Sequence, residues 1–108
     1  RHWLAVGRMA DIPRRGARRV ETPWLTIALF RTADDRVFAL EDRCPHRGGP
    51  LSDGIVHGTL VTCPLHSQVI GLESGRVQPP DPGCVTSLPV RIEDGRVSVG
   101  LPLAVDDA

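Results

Sequence analysis

Several residue types are missing from this chain of 108 residues, and the absences narrow the class of protein. Lysine and tyrosine do not occur, and aromatic residues make up only 4% of the chain. Its 13 basic residues are all arginines, and because they are matched by 13 acidic residues, the formal net charge is zero. A balanced charge gives no electrostatic basis for binding nucleic acid.

Long apolar runs are also missing. Uninterrupted apolar stretches such as residues 3–6 and 27–30 fall far short of the ~20 residues that a membrane helix needs. The N-terminus lacks a signal-peptide pattern, although the chain begins at Arg1 without a methionine, which leaves the natural start open. We therefore expect a soluble, cytoplasmic domain that does not associate with membranes.

Residues that break helices are abundant, by contrast. Eleven glycines and ten prolines leave little room for long helices and favour short strands joined by turns. Apolar and polar residues alternate most clearly over residues 90–101, where Asp94-Gly95 interrupts the alternation. This pattern predicts a β-hairpin with a two-residue turn.

Further strands are predicted along the rest of the chain. Residues 24–41 and residues 54–63 each have the pattern of a hairpin, and residues 68–72 that of a strand leading into a turn. Residues 4–6 and 18–22 are predicted to form shorter strands of the same sheet as the first of these hairpins.

Residues 43–83 differ in composition from the rest of the chain. They hold seven of the eleven glycines, six of the ten prolines, three of the four histidines and two of the three cysteines. Rigid strands commonly carry functional loops. We therefore expect one domain, residues 1–108, in which 1–42 and 84–108 form a basal β scaffold and 43–83 form an insert that carries the functional site.

Two pairs of candidate metal ligands lie in this insert. Cys44 and His46 form the first pair, and Cys63 and His66 form the second, with sixteen residues between the pairs. Each cysteine is followed by a proline. Two thiols and two imidazoles in matched pairs indicate a metal site rather than buried cysteines and surface histidines.

Two kinds of metal centre suit this donor set. One is a tetrahedral structural zinc ion in an interaction module, and the other is a two-iron, two-sulfide cluster with cysteines on one iron and histidines on the other. Zinc ligands within a pair are usually separated by about two to five residues. Only one residue separates Cys44 from His46, which favours the cluster and leaves zinc as a remote alternative.

The sequence around the ligands resembles the Rieske [2Fe-2S] family. Residues 44–52 read CPHRGGPLS, residues 62–66 read TCPLH and residues 72–75 read LESG. The resemblance implies an all-β fold of three small antiparallel sheets, with the cluster held between two loops at one tip. It also implies one-electron transfer by a chain without a catalytic site of its own, and the following cluster ligands: Cys44, His46, Cys63 and His66.

The resemblance has consequences for the redox potential. Two ferric ions, two sulfides, two thiolates and two neutral histidines sum to zero charge, which is why Rieske potentials span roughly −150 to +300 mV against about −400 mV for plant-type clusters. High-potential respiratory members add a disulfide between the cluster loops, a serine and a tyrosine. This chain has Gly49 and Leu65 at the disulfide positions, Gln68 at the serine position and no tyrosine. We therefore expect a potential towards about −150 mV.

A longer resemblance covers residues 24–101. The stretches 44–66, CPHRGGPLSDGIVHGTLVTCPLH, and 88–97, LPVRIEDGRV, resemble the small subunit of assimilatory NAD(P)H-dependent nitrite reductases. This implies a large-subunit partner that carries flavin and sirohaem and reduces nitrite to ammonia. The alternative is a free-standing Rieske ferredoxin that supplies an aromatic-ring oxygenase, although such ferredoxins usually read Cys-Thr-His where this chain reads Cys-Pro-His.

Other polar residues are interpreted as structural. His57 lies outside the ligand pattern and is expected to be a solvated turn residue. Cys84 is expected to be a half-buried strand residue, since a cytosolic chain makes a disulfide improbable. The arginines at positions 14, 15, 18 and 19 are expected to form a polar loop surface.

Overall fold

A computed structural model describes residues 2–45, 49–64, 68–79 and 82–101. Ten strands and two single-turn 3-10 helices form the described part of the chain. The helices are Met9–Asp11 and Leu51–Asp53, and neither could cross a membrane. The strands are β1 (His2–Arg8), β2 (Gly16–Glu21), β3 (Thr26–Arg31), β4 (Val37–Glu41), β5 (Ile55–His57), β6 (Leu60–Thr62), β7 (Val69–Gly71), β8 (Ser87–Leu88), β9 (Val90–Glu93) and β10 (Arg96–Leu101).

The strands form three small sheets in which all pairs are antiparallel. The terminal sheet has the order β1-β10-β9, the central sheet β2-β3-β4-β8 and the small sheet β5-β6-β7. This architecture confirms the all-β fold of three antiparallel sheets expected from the sequence.

The predicted hairpins are present, and their turns explain why they form. Asp94 and Gly95 have φ values of 53° and 76°, and such a turn matches the right-handed twist of the β9–β10 hairpin. The hairpins β3–β4 and β5–β6 are confirmed as well, and β7 leads into a turn as predicted.

The assignment of residues 4–6 and 18–22 to one sheet is wrong. Residues 4–6 belong to β1, which pairs with β10, whereas residues 18–21 belong to β2, which pairs with β3. A short apolar stretch indicates a strand. Which strand it pairs with depends on contacts with residues far away in the sequence. A register shift between Ala5 and Gly7 shows that β1 adapts to β10 at this edge.

Strand β3 is buried on both of its faces. Ile27 and Leu29 belong to a core that includes residues of the terminal sheet, whereas Ala28 and Phe30 belong to a second core that includes residues of the small sheet. Successive side chains of a strand point to opposite faces, so an unbroken apolar run is what a strand between two cores requires.

We call the second core the loop core. It contains both cysteines of the predicted ligand set, together with buried residues of the central and small sheets. Its buried members are Ala28, Phe30, Leu40, Cys44, Leu51, Val56, Val61, Cys63, Ile70, Leu72, Val77 and Val85.

Candidate metal centre

Two loops that begin with a cysteine are closed in the same way. Cys44 follows β4, and its backbone N–H donates to the carbonyl oxygen of Gly49 at 2.7 Å. Cys63 follows β6 directly, and its N–H donates to the carbonyl oxygen of Gln68, also at 2.7 Å. We call the segments 44–49 and 63–68 the first and second ligand loops. Each closing bond spans five residues and fixes the start of its loop.

Both cysteines point into the loop core. Cys44 and Cys63 are each 1% exposed. All three cysteines of the chain lie in the described part, and each is present as a thiol rather than in a disulfide. Both thiols therefore belong to the same buried core.

The two loops also contact each other through a side chain. Sγ of Cys44 donates to Oε1 of Gln68 at 3.7 Å, a normal length for a hydrogen bond involving sulfur. Gln68 thus closes the second loop with its carbonyl oxygen and contacts the cysteine of the first with its amide. The expectation for Gln68 concerned only a missing serine, and this contact spans 24 residues of sequence.

The predicted histidine ligands lie outside the described residues. His46 falls within 46–48 and His66 within 65–67. Their role as ligands, and the four-residue ligand set as a whole, stay predictions.

The donor chemistry of the described residues fits a [2Fe-2S] cluster. Thiolates are the ligands that hold iron–sulfur clusters, and two buried thiols lie in linked loops of equal span. Cys44 and Cys63 would supply these thiolates, and the predicted histidines follow them within the same two loops.

A buried carboxylate holds the base of the first ligand loop. Asp42 Oδ1 accepts from the backbone N–H of Ser52 at 2.8 Å, and its Oδ2 accepts from Ser52 Oγ–H at 2.7 Å. The Asp42 side chain is 0% exposed, and Nε of Arg19 lies 3.7 Å from Oδ2. We call this pair the Asp42–Ser52 clasp, because it joins the chain just before the loop to the helix just after it.

Sequence reasoning missed the clasp. An aspartate and a serine ten residues apart form no recognised local motif. The one available signal was their position on either side of the Cys44–His46 pair.

The turn after β7 is connected to the segment before β8 by close backbone contact. Gly75 has φ +75°, and a Cβ there would overlap the carbonyl oxygen of Val85. The N–H of Val85 donates to the Gly75 carbonyl oxygen at 2.7 Å. Only glycine allows both the left-handed conformation and this approach.

The expectation that Cys84 is half-buried is wrong. Cys84 is exposed, and its only pairing in a sheet pattern is an isolated bridge with Arg76. Burial alternates at this point, so that Val85 occupies the core instead. Cys84 lines an open cleft of about 310 Å³ together with Arg43 and Pro45.

His57 is exposed, as expected, but it ends strand β5 rather than forming the turn. Its Nε2 lies 2.7 Å from Oγ1 of Thr62 on the neighbouring strand. The position is consistent with a residue outside the ligand set.

The arginine-rich segment forms ion pairs at the surface. Arg18 lies 3.2 Å from Asp11. Arg14 makes two hydrogen bonds of 3.1 Å to the carboxylate of Asp35, and Arg31 adds a contact of 2.8 Å. Hydrogen bonds from Arg14, which has the larger effect, and from Arg31 lower the pKa of Asp35 below its usual value. The expected polar surface is thus present, but it is not wholly a loop, because Arg18 and Arg19 lie in strand β2.

Comparison with known proteins assigns the family. Residues 2–89 match the model of the Rieske [2Fe-2S] domain. The chain belongs to the Rieske [2Fe-2S] family. A Rieske-type [2Fe-2S] cluster is thus its cofactor, and electron transfer to or from a redox enzyme is the role of such a domain.

Relatives within the Rieske family come from two settings. The chain is 34% identical over 100 residues to the 3-phenylpropionate/cinnamic acid dioxygenase ferredoxin subunit of Escherichia coli (strain K12), which covers 89% of this chain and 91% of the relative. The Sphingomonas yanoikuyae B1 ferredoxin has a TM-score of 0.83 at 26% identity and covers 94% and 100% of the two chains. A provisionally named NADH-dependent nitrite reductase small subunit from Mycobacterium tuberculosis has a TM-score of 0.82 at 26% identity, covering 91% and 93%.

Proposed function

We propose that the chain passes single electrons as the small subunit of an assimilatory NAD(P)H-dependent nitrite reductase. The observation that carries the redox role is the pair of ligand loops, each closed by the same 2.7 Å hydrogen bond and each placing a cysteine in the loop core. The assignment to nitrite reductase rests on the resemblance of residues 44–66 and 88–97 and is supported by the Mycobacterium tuberculosis relative. The proposed cluster ligands are Cys44, His46, Cys63 and His66.

The described residues give the site its chemical character. When bound, the cluster accepts and releases one electron at a time. Burial of Cys44 and Cys63 keeps water from the two thiolates. Both cysteine N–H groups are used to close the loops, so they are not available as donors to sulfur. The use of these two donors elsewhere favours the proposed potential in the lower part of the Rieske range, roughly −150 mV.

We also propose the division of the domain that the composition indicates. In this division residues 43–83 form the cluster-binding insert, and residues 1–42 with 84–108 form the basal scaffold. Support comes from the small sheet, which lies wholly within the insert. Phe30 of the scaffold belongs to the same core as Cys44 and Cys63, so the insert rests on the scaffold through the loop core.

A second candidate is a ferredoxin that supplies an aromatic-ring oxygenase. It is favoured by the 34% identity with the Escherichia coli ferredoxin subunit across most of both chains. The cluster would be the same, and only the redox partner would differ.

The cluster assignment is tested on protein purified without oxygen. We expect two irons and two sulfides per chain, no stoichiometric zinc, and a reduced-state EPR signal with a low average g value. His66→Ala should abolish this spectrum, whereas the matched control His57→Ala should retain it. A colourless protein with one zinc ion, or a His66→Ala variant with an unchanged spectrum, would overturn the proposal.

The partner assignment needs a separate experiment. A sirohaem-containing nitrite reductase large subunit should co-purify with the chain, and NAD(P)H-dependent nitrite reduction should rise when the chain is added. If the chain instead reduces a ring oxygenase and leaves nitrite reduction unchanged, the ferredoxin assignment replaces that of the nitrite reductase subunit.

A further inference from the structure

Gln68 is the residue through which the two ligand loops are connected. Its carbonyl oxygen accepts the N–H of Cys63, and its side-chain Oε1 lies 3.7 Å from Sγ of Cys44. The residue is half-buried, and its backbone is fixed by the loop-closing bond. Its amide is therefore held next to a ligand sulfur by the fold itself.

The direction of this hydrogen bond depends on the state of Cys44. The protonated thiol donates to Oε1, but a thiolate that binds iron has no proton to donate and only accepts. The amide carries two N–H donors on its other side, and its terminal torsion is broad and roughly two-fold. A half-turn of the amide exchanges Oε1 for Nε2 with no movement of the backbone.

We propose that Gln68 donates Nε2–H to Cys44 Sγ when the cluster is bound and thereby raises its reduction potential. The inference rests on the proposed role of Cys44 as a cluster ligand. Hydrogen bonds to the sulfurs of a cluster are among the factors that set its potential. The reduced cluster carries one more negative charge than the oxidised cluster. A hydrogen-bond donor at the sulfur therefore stabilises the reduced cluster more.

This role for Gln68 modifies the expectation drawn from the sequence. The missing hydroxyl donors lower the potential, and Gln68 restores one donor at a cysteine sulfur. Gln68 would act on the cluster through its hydrogen bond to Cys44 Sγ. It is not itself a ligand, because its contact is with the sulfur and not with iron.

The first experiment compares the midpoint potentials of purified, cluster-bearing variants. Gln68→Met keeps the length of the side chain and removes the donor. We expect the equilibrium constant for reduction to fall by about three- to tenfold, where tenfold is about 59 mV for a one-electron couple. Gln68→Glu, which adds a negative charge beside the sulfur, should lower it further. The matched control is Gln78→Met, because Gln78 is the only other glutamine and is exposed.

A shift for Gln68→Met no larger than that for Gln78→Met would overturn the inference, as would a higher potential for Gln68→Glu. The second experiment uses protein in which Gln68 is unchanged, so it does not depend on how the Gln68 variants fold. Protein with ¹⁵N in its glutamine side chains should show a ¹⁵N coupling to the reduced cluster in pulsed EPR, and the Gln78→Met variant should retain it.

The two experiments separate this inference from the proposed function. A wild-type protein that binds a cluster but shows no ¹⁵N coupling removes the role of Gln68 alone. A wild-type protein without iron and sulfide removes the proposed cluster ligands, and the role of Gln68 with them.

Discussion

The Asp42–Ser52 clasp offers the most direct test of how the first ligand loop is held. The side chain of Asp42 is fully buried and accepts two hydrogen bonds from one residue, at 2.8 and 2.7 Å. A hydrogen bond to a charged group contributes about 1.5 to 3 kcal/mol. Ser52→Ala removes the hydroxyl and leaves the backbone donor, so we expect it to lower the free energy of unfolding by about 2 kcal/mol.

Asp42→Ala removes both acceptors and leaves the two donors of Ser52 without them. At about 1.5 to 3 kcal/mol for each bond to a charged group, the expected cost is about 3 to 6 kcal/mol. Arg19 adds little to this figure, because its side chain is 54% exposed and its Nε lies 3.7 Å from the carboxylate. Both single variants remove the same hydrogen bond from the Ser52 hydroxyl. The double variant should therefore lose about 2 kcal/mol less stability than the sum of the two single variants.

The assay is urea-induced unfolding of the protein as isolated, followed by circular dichroism. The rate at which visible absorbance is lost to an iron chelator gives a second readout. Asp42→Ala should release iron faster than wild type because the loop is no longer tied at its base. Ser87→Ala, at an exposed serine of β8, is the matched control and should change stability by less than about 0.5 kcal/mol. Additive effects of Asp42→Ala and Ser52→Ala would refute the reasoning.

Two further perturbations follow from the described geometry. Gly75→Ala should destabilise the protein by at least about 2 kcal/mol in chemical unfolding, because it imposes a left-handed conformation on alanine and a Cβ overlap with the Val85 carbonyl. Gly58→Ala, with φ +59° but open space around the Cβ, should cost about 1 kcal/mol, and equal losses would contradict this account. The pKa of Asp35 is lowered in the folded protein by its two arginines, so its contribution to stability is present above the unfolded pKa and is lost as the pH falls through the folded value. Asp35→Asn should therefore flatten the acid limb of a plot of stability against pH, and an unchanged acid limb would exclude this linkage.

Local features of the fold were predictable from the sequence, whereas distant pairings were not. The Asp94-Gly95 dipeptide predicts its hairpin because two adjacent residues are enough to form the turn. The partner of β1 was not predictable, since β10 lies at the other end of the chain and any strand with a matching apolar face competes for it.

The candidate site shows the same division. The matched Cys/His pairs and the family resemblance singled out Cys44 and Cys63 as candidate ligands. Both thiols lie in the loop core, and their role as ligands stays a prediction. The contact of the Gln68 amide with Cys44 joins two residues that are 24 positions apart, and it depends on how the two ligand loops fold against each other. No local sequence pattern predicts such a contact. Exposure of Cys84 was misjudged for a related reason, because the register of its short segment is set by Val85 entering the core.

The pairing of β1 with β10 has a consequence for synthesis on the ribosome. β1 is synthesised well before β10, and it finds its partner only when Arg96–Leu101 has left the exit tunnel. The hairpin β3–β4 and the sheet β5-β6-β7 can form before then, because their partners are close in sequence. A nascent chain stalled before residue 96 would therefore expose the hydrogen-bonding edge of β1, and such an edge is a site for aggregation and for chaperone binding.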